Sequence, residues 1–134
     1  MDLSKGMMVS AAGLRAQSLR MRVIAENIAN QESTATSGSE PYRRKLVTFQ
    51  NVMDRELGTE TVKVTGLVYD KAPFGSKFDP GHPMADADGY VQTTNVKGIM
   101  ENMDMKDAER SYQANVSAIE ASKKMLLQTI ELLR

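Results

Sequence analysis

The chain has 134 residues, with 17 Lys plus Arg against 17 Asp plus Glu and no cysteine. That length supports one domain, or one domain with an appended helical part, and the balanced charge offers no global field to recruit nucleic acid or an anionic membrane. The absence of cysteine excludes disulfides, thiolate nucleophiles and thiolate metal sites.

From the N-terminus, Met7, Ala11, Leu14, Ser18, Met21, Ala25 and Ile28 recur at alternating steps of four and three. This average spacing of about 3.5 keeps one side of a helix facing a partner helix. Asp2 and Ser4 are N-cap residues for a helix expected to run to about Asn30. Val9, Leu19, Val23 and Ile24 lie off that seam, so the apolar surface is wider than one stripe and calls for more than one neighbour. No stretch approaches the ~18–20 apolar residues that span a bilayer. Ser10, Arg15, Gln17, Ser18, Arg20 and Arg22 interrupt any secretory h-region, so export, if it occurs, is expected by another route.

Residues 31–41 hold five Ser or Thr, one Gly and one Pro and read as a linker loop. The segment 42–99 reads as a small β- and turn-rich part. Its strand-like runs are Tyr42–Gln50, Thr61–Tyr69 and Gly89–Val96, with a short helical turn expected over 51–57. Turn signals fill the gaps: Gly58 in one, and Pro73, Gly75, Pro80, Gly81 and Pro83 in the other. Three such strands predict one small antiparallel sheet with a thin core.

The last helix is expected to begin between Ile99 and Asp104, with Asp104 as its N-cap and Asp107 and Glu109 near the positive end of the helix dipole. Its seam is Met105, Ala108, Tyr112, Asn115, Ile119, Ser122, Leu126, Thr129 and Leu133. The terminal-helix unit is therefore discontinuous, 1–30 with 100–134.

Candidate chemistry is sparse. Asp86-Ala87-Asp88-Gly89 is similar to a fragment of a calcium loop, but Met84 and Asn95 stand where that pattern needs its outer ligands, and a turn is the better reading. His82, the only histidine, has no nucleophile in a recognisable motif beside it. Arg43-Arg44-Lys45 reads as part of an edge strand whose alternate residues face water, the alternative being a contact with an acidic protein neighbour; it lacks the aromatic interleaving of a nucleic-acid site. Asn115-Val116-Ser117 is a glycosylation sequon placed mid-helix on the seam, where a glycan does not fit. Gln17, Ser18, Asn27, Asn30, Tyr112, Asn115, Ser122 and Thr129 are polar groups on or beside the seams. They either specify register and partner or mark imperfect helices in a small bundle.

Those residues carry a resemblance. Ala12-Gly13-Leu14-x-Ala16-Gln17 and Asn27-Ile28-Ala29-Asn30 resemble the N-terminal signature of flagellar axial proteins, and Arg110-Ser111-Tyr112-x-Ala114-Asn115 the matching C-terminal one. Pro41-Tyr42-Arg43-Arg44-Lys45, His82-Pro83-x-Ala85-Asp86-x-x-Gly89-Tyr90-Val91 and Asn95-Val96 narrow it to the bacterial flagellar basal-body rod proteins of the proximal, FlgC type. Thr94 replaces a customary Pro, and Asn102 and Lys106 stand at customarily apolar positions. The resemblance implies a mainly α fold with a small β part, its N- and C-terminal helices paired as an antiparallel coiled coil. It implies a structural subunit of the periplasmic rod without enzymatic activity, cofactor, metal, small-molecule substrate or nucleic acid. The implied partners are copies of the chain, other rod subunits, membrane-ring and rod-base proteins, and the flagellar type III export apparatus in transit. A soluble helical adaptor or export chaperone in the cytoplasm is the competing reading; it explains neither the β segment nor the Asn-bearing seams. A hydrolase lacks any catalytic constellation.

Overall fold

The computed structural model describes residues 2–133. Met1 and Arg134, the outer ends of the expected terminal-helix unit, lie outside the described residues. Two long helices pack on each other, and two small antiparallel ribbons lie between them in sequence. The fold is mainly α with a small β part.

Helix α1 spans Leu3–Ala29, and Asp2 caps it by accepting the Ser4 N–H at 3.1 Å. Asn30 closes it, its amide Nδ2–H donating to the Glu26 carbonyl at 2.8 Å. Helix α2 spans Gly98–Leu132 and runs antiparallel to α1: Asn27 meets Glu101 and Gly13 lies against Asn115. A Cβ at Gly13 would sit 2.8 Å from Asn115 Oδ1, so a larger residue there would displace the Asn115 amide. The buried positions of α1 are Ala12, Ala16, Val23, Ile24 and Asn27. Within the subunit Ser18 and Ala25 of the N-terminal seam are exposed, while Met7, Ala11, Leu14, Met21 and Ile28 are half-buried. On α2, Ala108 is buried, and Met105, Tyr112, Asn115, Ile119 and Ser122 are half-buried.

The start of α2 corrects the sequence expectation. Lys97 is its N-cap residue and supplies no side-chain cap. Asp104 lies inside the helix, its carboxylate held by Arg44 instead of capping backbone N–H groups. Helical geometry begins early because the buried run Thr94–Val96 delivers the chain at Gly98.

Strand β1 (Lys45–Asp54) pairs with β2 (Thr59–Tyr69) as a hairpin, with a bulge opposite Thr48/Phe49. The helical turn expected over 51–57 is strand up to Asp54. Asp54 Oδ1 accepts the Glu56 and Leu57 N–H groups, and Gly58 takes φ +63°, which completes a tight turn instead. Strand β3 (Gly75–Phe78) arises within the stretch read as turns and pairs with β4 (Tyr90–Thr93). The single three-stranded sheet is therefore replaced by two ribbons. A two-stranded ribbon is marginal alone; the first ribbon lies on α1 and buries Thr61, and the second buries Val91. The loop 31–41 is tied to β4 by the Ala35 N–H to the Gln92 carbonyl, 3.0 Å.

Among the described residues no helix is long and apolar enough to cross a membrane. The two ends of the helix pair differ: at one Asn27 and Glu101 meet the start of the hairpin, and at the other α2 overhangs α1. Hydrogen exchange on the purified chain is expected to show strongest protection at residues 20–29 and 98–112 and weakest at 122–133. Uniform protection along α2 contradicts this.

Candidate assembly interface and its polar junction

The last turn of α1 places Asn27 where four groups meet, and its residue is 1% exposed. Its Nδ2–H donates to the Lys45 carbonyl at 2.9 Å and to Glu101 Oε2 at 3.0 Å. Its Oδ1 accepts the Tyr42 O–H at 2.9 Å and the Lys45 N–H at 3.0 Å. Two donors and two acceptances satisfy the amide. Burial, the largest influence, raises the Tyr42 pKa; Lys45 opposes it, and Glu26 and Glu101 add to it. The phenol therefore stays a donor.

Glu101, in the first turn of α2, is fully buried. A buried carboxylate needs a partner, and Arg44 supplies it through Nε. The same guanidinium donates from Nη1 to Asp70 Oδ2 at 3.3 Å and from Nη2 to Asp104 Oδ2 at 3.0 Å. Burial pulls the Arg44 pKa down, but the hydrogen bond and charge of Glu101, with Asp70 and Asp104, raise it overall. Asn95 completes the junction: its Oδ1 accepts the Arg44 N–H at 2.7 Å, and its Nδ2–H donates to the Asp70 and Ala72 carbonyls, each at 3.1 Å. Arg43 stacks 4.2 Å from the Phe74 ring centroid, and Lys45 Nζ pairs with Glu26 at 3.2 Å. The basic run is thus not a water-facing strand side. Its acidic neighbours belong to the same chain.

The motif residues from His82 to Tyr90 shape the second ribbon. His82 Nδ1 accepts the Met84 N–H at 3.1 Å, leaving the ring proton on Nε2 for Thr34 Oγ1 at 3.2 Å. Asp86 Oδ1 accepts the Asp88 and Tyr90 N–H groups at 3.0 and 2.8 Å, so this oxygen is committed to closing the turn. Gly89 has φ +83°, and a Cβ there would sit 2.9 Å from the Phe78 ring, which packs edge-on against Tyr90. Pro83 is exposed. No group of three or more His, Asp or Glu side chains among the described residues is arranged to hold a metal ion.

The terminal-helix motif residues disperse. Asn115 donates to the Ser111 carbonyl at 3.0 Å beside Gly13, Tyr112 lies by Leu14 and Arg22, and Arg110 is exposed. Gln17 Oε1 is buried and accepts no hydrogen bond among the described residues. Leu126 and Leu133 of the C-terminal seam are exposed, as is Thr129. Sequence reasoning named Asn27 but missed Tyr42, Arg44, Asp70, Asn95, Glu101 and Asp104 as one unit. The available signal was Glu101 and Asp104, three apart on one helix face, in a chain with an Arg-Arg-Lys run that lacked aromatic interleaving.

The fold defines a helical subunit with an apolar overhang left uncovered, and comparison with known proteins supplies its class. Residues 87–132 match the family described as "Flagellar basal body rod FlgEFG protein C-terminal". The chain is 44% identical to the flagellar basal-body rod protein FlgC of Agrobacterium fabrum, over 98% of this chain and 96% of that one. It is 39% identical to the FlgC of Salmonella typhimurium, with 92% of each chain covered. Against the FlgC of Borreliella burgdorferi the identity is 34%, over 100% and 99%. The chain belongs to the FlgC family of flagellar basal-body rod proteins.

Two outcomes test the junction. Arg44→Ala leaves Glu101 buried and unpaired and is expected to cost about 3–5 kcal/mol in urea unfolding, whereas Lys106→Ala, at an exposed pair, costs less than ~1 kcal/mol. Arg44→Met with Glu101→Leu is expected to recover most of the loss; no recovery would mean that the charges matter beyond their mutual compensation. The second outcome concerns acid. The Ala72 N–H chiefly lowers the Asp70 pKa, with Arg44 adding to it against burial. Its stabilisation is therefore complete above its unfolded value, ~3.9, and is lost as pH falls through the lower folded value. Asp70→Asn is expected to flatten the fall of stability with acid in that window, measured as unfolding midpoint against pH.

Proposed function

We propose that this rod subunit polymerises through its terminal helices in the proximal rod and transmits torque from the membrane ring toward the hook. The near-full-length identity to FlgC rod proteins carries this reading. The family is structural, not enzymatic. The role in a rod accounts for features that a free-standing protein has no use for. Met125, Leu126, Leu127, Ile130, Leu132 and Leu133 are exposed at one end of α2, 88% in the case of Leu132. A helical adaptor or export chaperone has no observation in its favour.

In this reading the terminal helices, 1–30 and 100–134, act as one unit in an inner coiled-coil layer. Residues 42–99 act as an outer part joined through the loop 31–41. The seams from Met7 to Ile28 and Met105 to Leu133 are the assembly positions, including Ser18 and Ala25, whose exposure in the free subunit suits contact with neighbours. Partners are copies of the chain, other rod subunits, and ring and rod-base proteins. Export proceeds through the flagellar type III apparatus, with α1 retained and unfolded in transit. Helices that gain their stability from packing can be passed as an extended chain.

A tagged chain expressed in its host is expected to co-purify with isolated basal bodies; recovery only in the soluble fraction contradicts the reading. Leu14→Asp and Ile119→Asp each place an unpaired charge in a helix seam, a cost of several kcal/mol. Each is expected to abolish swimming in a motility-agar assay with normal expression, while Arg22→Gln swims. Gly89→Val is expected to impair assembly through its positive φ, and Asp88→Asn to leave it intact. Normal swimming by the seam variants would remove these residues from the interface.

A further inference from the structure

The pairs Asn27–Glu101 and Gly13–Asn115 each sum to 128, so Leu3 lies level with about residue 125. Beyond that point α2 has no α1 beside it. The overhang carries six large apolar residues in nine positions, Met125 to Leu133, and all six are exposed. Spread at 100° per residue they form a broad apolar surface interrupted by Gln128, Thr129 and Glu131.

The subunit also carries a groove of about 620 Å³ between α1 and the β1–β2 hairpin. Met8, Ala11, Arg15 and Leu19 form its helical wall, and Leu57 and Val62 are on the hairpin side. Met8 is 52% exposed. From Met8 to Leu19 the groove runs about 16 Å at ~1.5 Å per residue, and the overhang is about 13 Å long. Charges match along the same line. Asp54 and Glu56 lie at the Met8 end and Arg15 and Lys63 at the other, while Lys123 and Lys124 precede the overhang and Glu131 is near its end. Lys124 and Glu131 are seven residues apart, as are Met8 and Arg15. None of these seven charged residues forms an ion pair among the described residues.

We propose that the α2 overhang of one copy inserts into the α1–hairpin groove of a second copy, parallel to that copy's α1, with Lys123 and Lys124 at Asp54 and Glu56 and Glu131 at Arg15 and Lys63. The overhang cannot reach its own groove, since it projects past the N-terminal end of α1 away from Ala11. The contact is heterologous: each copy keeps a free overhang and a free groove, so it propagates. This rests on the rod reading and names one contact within it.

The cysteine-free chain permits disulfide trapping without background. Full-length Ala11→Cys and full-length Leu127→Cys, differing in tag size, are mixed and oxidised. A mixed disulfide exceeding both homodimers is expected. A second pair, Met8→Cys with Lys124→Cys, repeats the test should the first disturb packing. Lys123→Glu with Lys124→Glu is expected to weaken association by about two- to fivefold, the scale of exposed ion pairs, with recovery on Glu56→Lys in the other copy. A dominant Leu127→Cys homodimer would mean that overhangs pair with each other and would overturn the proposal. Preferential trapping of Ala11→Cys with Leu133→Cys would reverse the orientation and overturn it too, as would no mixed band for either pair. Co-purification with basal bodies tests the rod reading separately, so either can fail alone.

Discussion

Glu101 is the constraint around which the fold closes. A carboxylate removed from water in the first turn of a long helix must be matched there, and the match comes from two places far apart in sequence. Asn27 ends the first helix, and Arg44 opens the hairpin. Meeting that one demand fixes the angle at which the chain leaves α1, the start of β1 and the entry of α2. The junction thus does for this thin fold what a large apolar core does elsewhere. The buried apolar residues, Ala12, Ala16, Val23, Ile24, Val91, Val96 and Ala108, are mostly small. Small residues permit close helix approach and return little burial each, which leaves specification of the arrangement to polar pairing.

The same geometry explains why the middle segment is two ribbons instead of one sheet. Asn95 holds the Arg44 N–H and the carbonyls of Asp70 and Ala72, so it pins the outer end of the hairpin to the strand that precedes α2. The chain between Asp70 and Gly75 is occupied by these bonds and by Phe74 under Arg43. Continuous pairing from β2 to β3 would require releasing them. The second ribbon forms separately, closed by Asp86 and Gly89, and receives the loop 31–41 along β4.

What could be read from the sequence follows from range. The cap at Asp2, the end of α1 near Asn30, the turn at Asp86–Gly89 and both helices depend on neighbours a few residues away, and periodicity or turn chemistry exposes them. The start of α2 did not follow the capping rule because Asp104 serves an arginine sixty residues earlier. Strand β3 escaped because Gly75 and the prolines around it are turn residues locally and strand residues only once β4 is beside them. Alternation turns alternate residues of the Arg43–Lys45 run toward water and says nothing about which carboxylates the fold brings to Arg44. Asn27, by contrast, stands out as a polar residue beside the apolar seam at Ala25 and Ile28, and such departures mark places with a specific task.

The two ends of the helix pair differ, one holding the buried polar junction and the other the overhang of α2, and this gives the subunit a direction. At one end Arg44, Asn27 and Asn95 pair the buried polar groups within the chain, while Ile99, Met100 and Met103 of the first turns of α2 stay exposed. At the other, α2 continues past its partner with exposed leucines, a surface that a soluble monomer would not retain without use. A two-fold contact between overhangs would bury both apolar surfaces and close the assembly, whereas an overhang seated on a different surface of the next copy leaves one overhang free at every step. A rod needs the second: every added copy must leave one unsatisfied end. The eight extra residues of α2, 35 against 27 in α1, place that end beyond the fold of the subunit itself.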